Sequence, residues 1–197
     1  RTIAMSNKYF GGVVTKTGAT SEGAGVDENG ASLDFDADLK SVVTATRDKV
    51  QDKMSTLHVA DAMTEVFSLF KRCNKYIDET MPWALAKDET KQDRLATVLY
   101  NLVESISIGA TLLKSFMPET TDRILTQLNA KEVPYEELST FGHYVSGTKV
   151  TDAPEILFAR LDLGEVMTKV AELHLPVAAP QEEPEEDADV IDIEPKD

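Results

Sequence analysis

The stretch NKYIDETMPWALAKD, Asn74 to Asp88, joins the end of an amphipathic helix to the chain's only tryptophan, and the reading of the rest works outward from it. Proline lacks an amide hydrogen and disfavours helical geometry in the residue before it, so Pro82 predicts a break at Met81. Trp83 is then carried onto a corner. Upstream, Lys71, Asn74 and Asp78 recur at i, i+3 and i+7 and share one stripe of the helix leading to that corner. A flat aromatic beside amide and carboxylate groups suits a single-stranded nucleobase, which can stack on the ring while its edge is read by hydrogen bonds. The same pattern also describes a hydrophobic lid, since a lone tryptophan at a helix corner often closes a core. The local pattern leaves both readings open.

The run Asn74, Lys75, Tyr76, Ile77, Asp78, Glu79, Thr80, Met81, Pro82, Trp83, Ala84, Leu85, Ala86, Lys87 resembles the N-[KR]-Y-[IV]-D-E-x-x-P-W-x-x-A-K segment of the anticodon-binding domain of methionyl-tRNA synthetases. In that family the tryptophan stacks on an anticodon base. A shorter match lies at the start, where Asn7, Lys8, Phe10 and Gly12 fit an N-K-x-F-x-G turn and Arg1 falls at the position of the family's anticodon-contacting arginine. A third, PEILFARLD from Pro154 to Asp162, resembles the family's closing L-F-P-R-[IL] element, with Ala159 in place of its proline. The resemblance covers almost all of the chain up to Pro180. It implies an all-α helical bundle of the class I synthetase anticodon-binding type, with Trp83 stacking on the first anticodon base. Asn74 and Asp78 would hydrogen-bond or exclude bases along the same face, and Arg1 would meet a base edge or phosphate.

Periodicity gives the same fold class independently. A helix is predicted from Asp36 to Met54, with Leu39, Val42, Val43, Thr46, Val50 and Met54 on one stripe. Another runs from His58 to Thr80, turning Met63, Val66, Phe67, Phe70, Cys73 and Ile77 inward. The longest is expected from Glu89 to Phe116, ended by Pro118, with Gly109 marking a close approach. Pro118-Glu119, with Thr120 or Thr121 as a cap, opens a fifth that ends at Asn129. RTIAMSNKYFGG reads as a helix stopped by Gly11-Gly12, with Ile3, Met5 and Phe10 as its apolar positions. A last helix spans Leu163 to Leu173. Residues 13–33, which contain a G-A-G run without a phosphate-loop pattern, read as a long surface connection, and FGHYVSGTKV as loop with some extended character.

Of 197 residues 42% are hydrophobic, enough for one good core. Residues 1–176 are expected to form the helical domain and 177–197 an acidic linker or tail. The formal charge of −15 argues against a general polyanion binder. The segment after Pro180 holds nine acids against Lys196, which leaves −7 for the remainder. Lys71, Arg72, Lys75, Lys87, Lys91 and Arg94 bracket the Trp83 corner, so basic charge is expected to gather there. No apolar run approaches a membrane span, no leader is visible, and Cys73 has no partner for a disulfide, so a piece of a soluble, cytoplasmic protein is expected, with Cys73 an inert buried thiol.

No nucleophile, metal-ligand or paired-carboxylate motif surrounds His58, His143 or His174, and each is expected at the surface. Neither an H-I-G-H-like nor a K-M-S-K-S-like run is present; Lys53-Met54-Ser55 is a chance echo of the second. The resemblance thus implies a parent enzyme that joins methionine to tRNA with ATP in an absent catalytic domain, while this piece holds no cofactor and supplies binding. It implies tRNA(Met), through its CAU anticodon loop, and that catalytic domain as partners, with dimerisation through an absent C-terminal domain and no membrane. The rival is an all-α protein interaction module docking a partner at the Trp83 corner, which would explain the acidity and respond little to salt.

Overall fold

The computed structural model describes residues 1–20, 34–158 and 160–173. The G-A-G run, Ala159, His174 and the acidic segment lie outside the described residues, as does the expected boundary at 176/177. The chain divides into two compact units, Arg1–Leu157 and Phe158–Asp197.

The first unit is mostly helical, with six helices and one short strand pair among its described residues. The helix α1 (Thr2–Phe10) leads into strand β1 (Val13–Val14); α2 (Phe35–Ser55) and α3 (Val59–Thr80) form a hairpin; a short α4 (Pro82–Leu85) and a 3-10 turn (Glu89–Lys91) precede α5 (Gln92–Leu113) and α6 (Pro118–Leu128). Strand β2 (Thr148–Lys149) returns to pair antiparallel with β1. Helix predominance agrees with the sequence expectation, β2 falls in the FGHYVSGTKV run expected to have some extended character, and β1 is the addition. Val13 and Val14 lie in the stretch expected as a surface connection, because a two-residue strand leaves no periodicity to detect.

The core forms where the stripes meet: Leu39, Val43 and Val50 of α2, Val66, Leu69, Cys73 and Ile77 of α3, and Leu95, Val98, Leu99 and Leu102 of α5. Two positions assigned to the inner stripe of α2 face outward more than expected, with Met54 exposed and Val42 half-buried. In α1 the buried residues are Thr2 and Ser6, with Ile3, Met5 and Phe10 only half-buried. Small side chains are what allow this helix to lie close on α5.

Helix α5 is buried on nearly every side. By length and composition the segment Glu89–Leu113 would pass for a bilayer span, contrary to the expectation from the sequence, but 94% of its most apolar stretch is buried inside the protein. It is the core helix of the bundle. Gly109 permits this: a β-carbon there would sit 2.8 Å from Phe70 Cε1 and 3.1 Å from Leu69 Cδ2. Thr121 does not cap α6, whose first turn has no side-chain cap; its hydroxyl instead donates to the Ala110 carbonyl of α5 at 2.9 Å. Glu104, fully buried on α5, accepts the backbone N–H groups of Gly142, His143 and Tyr144 at 2.8, 2.9 and 2.6 Å, which pins the loop that leads to β2.

The α1 anchor residues acquire a physical role here. Gly11 is left-handed with φ 57 and stops the helix, and Gly12 has φ 86 with Asn7 Oδ1 only 2.6 Å from the place a β-carbon would take. The Asn7 amide donates to Thr151 O at 2.9 Å, tying α1 to the segment after β2.

The second unit contains α7 (Leu163–Glu172), whose N-cap Asp162 accepts the Glu165 amide at 3.1 Å. Leu163 and Met167 are exposed on it, as is Leu173 just after it.

Candidate nucleic-acid interface

The break predicted at Pro82 is present and has a definite geometry. Helix α3 ends at Thr80; Met81 adopts the left-handed conformation with φ 44, its N–H still bonded to Ile77 O at 3.0 Å; and Pro82 opens α4 at its first position. Left-handed backbone is costly for a side chain bearing a β-carbon, so neighbouring bonds must hold it. The Thr80 hydroxyl donates to Tyr76 O at 2.6 Å, and the Ala84 amide donates to Met81 O at 2.8 Å. Pro82 is buried beneath this turn, and Leu85 and Ala86 pack on the core.

Trp83, on α4, is 44% exposed. The residue is therefore not sunk in the core. Asn74 and Asp78 are both exposed, as is Lys71, so the stripe read from spacing does face outward. Arg1, the N-cap of α1, brings its Nη2 to 3.7 Å from Asp78 Oδ1, and both side chains are largely exposed. The short match at the chain start and the long match on α3 thus converge on one surface.

The basic cluster needs correction. Of the six cations expected around Trp83, two serve the interior. Arg72 is only 8% exposed; its Nε donates to Asp38 Oδ2 at 2.7 Å, and its Nη1 lies 2.9 Å from Glu79 Oε2, an ion pair without hydrogen-bond alignment. Arg94 grips Asp36 with both terminal nitrogens, at 2.6 and 2.8 Å. Lys75 and Lys91 are exposed but pair with Glu79 at 3.5 Å and Asp88 at 3.6 Å. Lys71 and Lys87 are the members of the group that have no carboxylate partner among the described residues. Linear sequence counts charges; only the fold shows which ones reach solvent.

Sequence reasoning also missed a buried polar hub. Tyr76 donates its hydroxyl to Asp36 Oδ1 at 2.6 Å and accepts from Asn101 Nδ2 at 3.2 Å, with the Arg94–Asp36 pair completing the group. Burial first, and then the Asp36 carboxylate, push the Tyr76 phenol well above its ordinary value. The signal was available: Tyr76 follows Cys73 at i+3 and precedes Ile77 on the inward face, so a polar atom there requires a partner. Cys73 is buried as expected, and desolvation pushes its thiol up to about 12. Among the described residues no group of three or more His, Cys, Asp or Glu side chains is arranged to hold a metal. His58 is exposed, as expected, and His143 is half-buried instead, its Nε2 2.8 Å from the Thr140 hydroxyl.

Residues 26–171 match the family model described as the anticodon binding domain of methionyl tRNA ligase. The chain is 39% identical over 174 residues to the methionine--tRNA ligase of Clostridium tetani, covering 88% of this chain and 25% of that protein. It is 42% identical over 165 residues to that of Caldanaerobacter subterraneus, covering 83% and 24%. With the Bacillus subtilis methionine--tRNA ligase it shares 33% identity over 200 residues, which covers 100% of this chain and 28% of that protein. The chain therefore spans about a quarter of the length of the curated relatives it matches. Among solved structures, Mycobacterium tuberculosis methionyl-tRNA synthetase, in complex with methionyl-adenylate, superposes with a TM-score of 0.67 at 24% identity over 81% of this chain and 29% of that one, a likeness of fold. With the helical fold, the outward Trp83 corner and the family match in agreement, the chain belongs to the family of anticodon-binding domains of methionyl-tRNA ligases.

Proposed function

We propose that this domain recognises the CAU anticodon loop of tRNA(Met) on behalf of a longer enzyme that joins methionine to tRNA with ATP. Trp83 is the stacking shelf for the first anticodon base, Asn74 reads a base edge, and Arg1 meets a base edge or phosphate. Asp78 acts against wrong loops, because a carboxylate facing a pocket penalises acceptor-rich edges and backbone phosphates. Methionine, ATP and the bond-forming chemistry belong to the catalytic part of that enzyme, and this domain contributes binding. The acidic segment serves as a linker toward a dimerising domain, and the protein works in the cytoplasm.

The observation that carries this reading is an exposed indole at the end of α3, with the exposed Asn74–Asp78 stripe running up to it and Arg1 set against Asp78. The overall negative charge limits affinity for nucleic acid at large, which places the burden on specific contacts rather than on a basic surface. Titrating an anticodon stem-loop bearing CAU against one with a changed anticodon, at two salt concentrations, tests it. The CAU loop is expected to bind more tightly, with affinity falling as salt rises. Equal affinity for both loops contradicts the reading, and salt-independent capture of neither loop favours a protein partner at the same corner.

A further inference from the structure

We infer that the buried hub of Tyr76, Asp36, Arg94 and Asn101 is a positioning device that fixes the register of the α3 face bearing Asn74, Asp78 and the Trp83 corner. The inference rests on the recognition reading above and adds residues to it that never touch the ligand.

Its basis is an asymmetry along α3. Over the first half, Val59 to Phe70, the helix is held by apolar packing through Ala62, Val66 and Leu69, and among the described residues no ion pair or side-chain hydrogen bond joins this half to another element. Over the second half the attachments become polar and directional. Arg72 reaches Asp38 of α2, and Tyr76 reaches Asp36 of α2 and Asn101 of α5, while Arg94 of α5 clamps the same Asp36. The polar clamps thus fall on the half that carries the exposed stripe. Tyr76 lies between Asn74 and Asp78 in the chain and points the opposite way, so its anchoring sets how those two side chains are presented. Its carbonyl also receives the Thr80 hydroxyl at the last turn before the left-handed Met81.

Buried ionic groups are a poor source of stability, since desolvation offsets much of their attraction, whereas their directional bonds restrict rotation and sliding. Apolar packing alone tolerates a helix shift; a phenol held between a carboxylate and an amide does not. A site that must hold an aromatic shelf and two edge-reading groups within a fraction of an ångström benefits from that constraint.

Tyr76→Phe deletes one oxygen and keeps the ring, and Val66→Ala, in the apolar half, is the control for a purely structural loss. Two readouts are taken well below each variant's unfolding transition: acrylamide quenching and anisotropy of Trp83 fluorescence without RNA, and the ratio of affinities for CAU and changed anticodon loops. Tyr76→Phe is expected to make Trp83 more quenchable and to shrink the ratio by roughly fivefold, the equivalent of one ordinary hydrogen bond. Val66→Ala is expected to lower the melting temperature and leave both readouts unchanged. A discriminating wild type whose ratio survives Tyr76→Phe, or falls equally in Val66→Ala, overturns the positioning role alone. A wild type blind to the anticodon overturns the recognition reading and this proposal with it.

Discussion

Arg1 at the head of α1 and Asp78 on the last turns of α3 stand 3.7 Å apart with both side chains largely open to solvent. An exposed pair of this kind contributes between zero and about 1 kcal/mol, so it costs little to part the two and present them to a ligand. Asp78→Asn is therefore expected to leave the melting temperature nearly unchanged while raising affinity for loops with a changed anticodon more than for CAU. Stem-loop titration checks this, and equal gains for both loops would show that the carboxylate acts only through general repulsion.

Lys71 and Lys87 face solvent without a carboxylate partner among the described residues, whereas Arg72 and Arg94 are committed to the interior. A phosphate contact is read from the salt dependence of binding. Removing either lysine is expected to weaken CAU and changed loops alike and to lower the slope of log affinity against log salt by about 0.7, the single-strand value per phosphate. Arg94→Ala should instead unfold or loosen the bundle. A sequence-dependent loss for Lys71→Ala would assign it to base reading.

Gly109→Ala sets a helix-propensity gain of about 1 kcal/mol against the overpacking of Phe70 and Leu69, which typically costs about 1 to 3. Phe70 is held edge-on by Phe67, their ring centroids 6.1 Å apart, so the ring has little room to yield. Thermal unfolding is expected to show a net loss on the order of 1 kcal/mol. A higher melting temperature would mean that α3 and α5 can separate without cost.

The Cys73 thiol is held neutral up to about 12 by burial, against 9.0 for a free thiol. The unfolded chain releases this proton first, so the contribution is intact below pH 9 and is lost as pH climbs from there toward 12. Buried Tyr76, Tyr100 and Tyr144, all pushed upward chiefly by desolvation, act in the same sense at higher pH. Denaturant titrations are expected to show stability falling above pH 9, less steeply in Cys73→Ala at first. Native Cys73 should resist thiol reagents at neutral pH until the chain unfolds.

Much of this was legible in the residues because two kinds of signal agreed. Proline positions and helical spacing gave the ends of α3 and α6 and the outward stripe at Asn74 and Asp78, since these depend on local backbone physics. Gly109 was legible for the same reason, as a missing side chain in a helix implies a close neighbour. The apolar pattern misled where small polar residues do the packing, as with Thr2 and Ser6, and it gave no hint of β1 and only some extended character around β2, whose pairing joins residues 134 to 136 positions apart. Arg72 and Arg94 were counted as surface charge because the acids that draw them inward, Asp36 and Asp38, sit on another helix.

The most direct test uses the fact that Trp83 is the chain's single tryptophan. Adding a CAU stem-loop to the native chain should quench its fluorescence as a base stacks on the ring, and Trp83→Ala should weaken binding of that loop by about 1 to 3 kcal/mol while leaving the fold intact by circular dichroism. If the emission does not respond and Trp83→Ala binds the loop as well as the native chain does, the indole is not the shelf on which the anticodon is read.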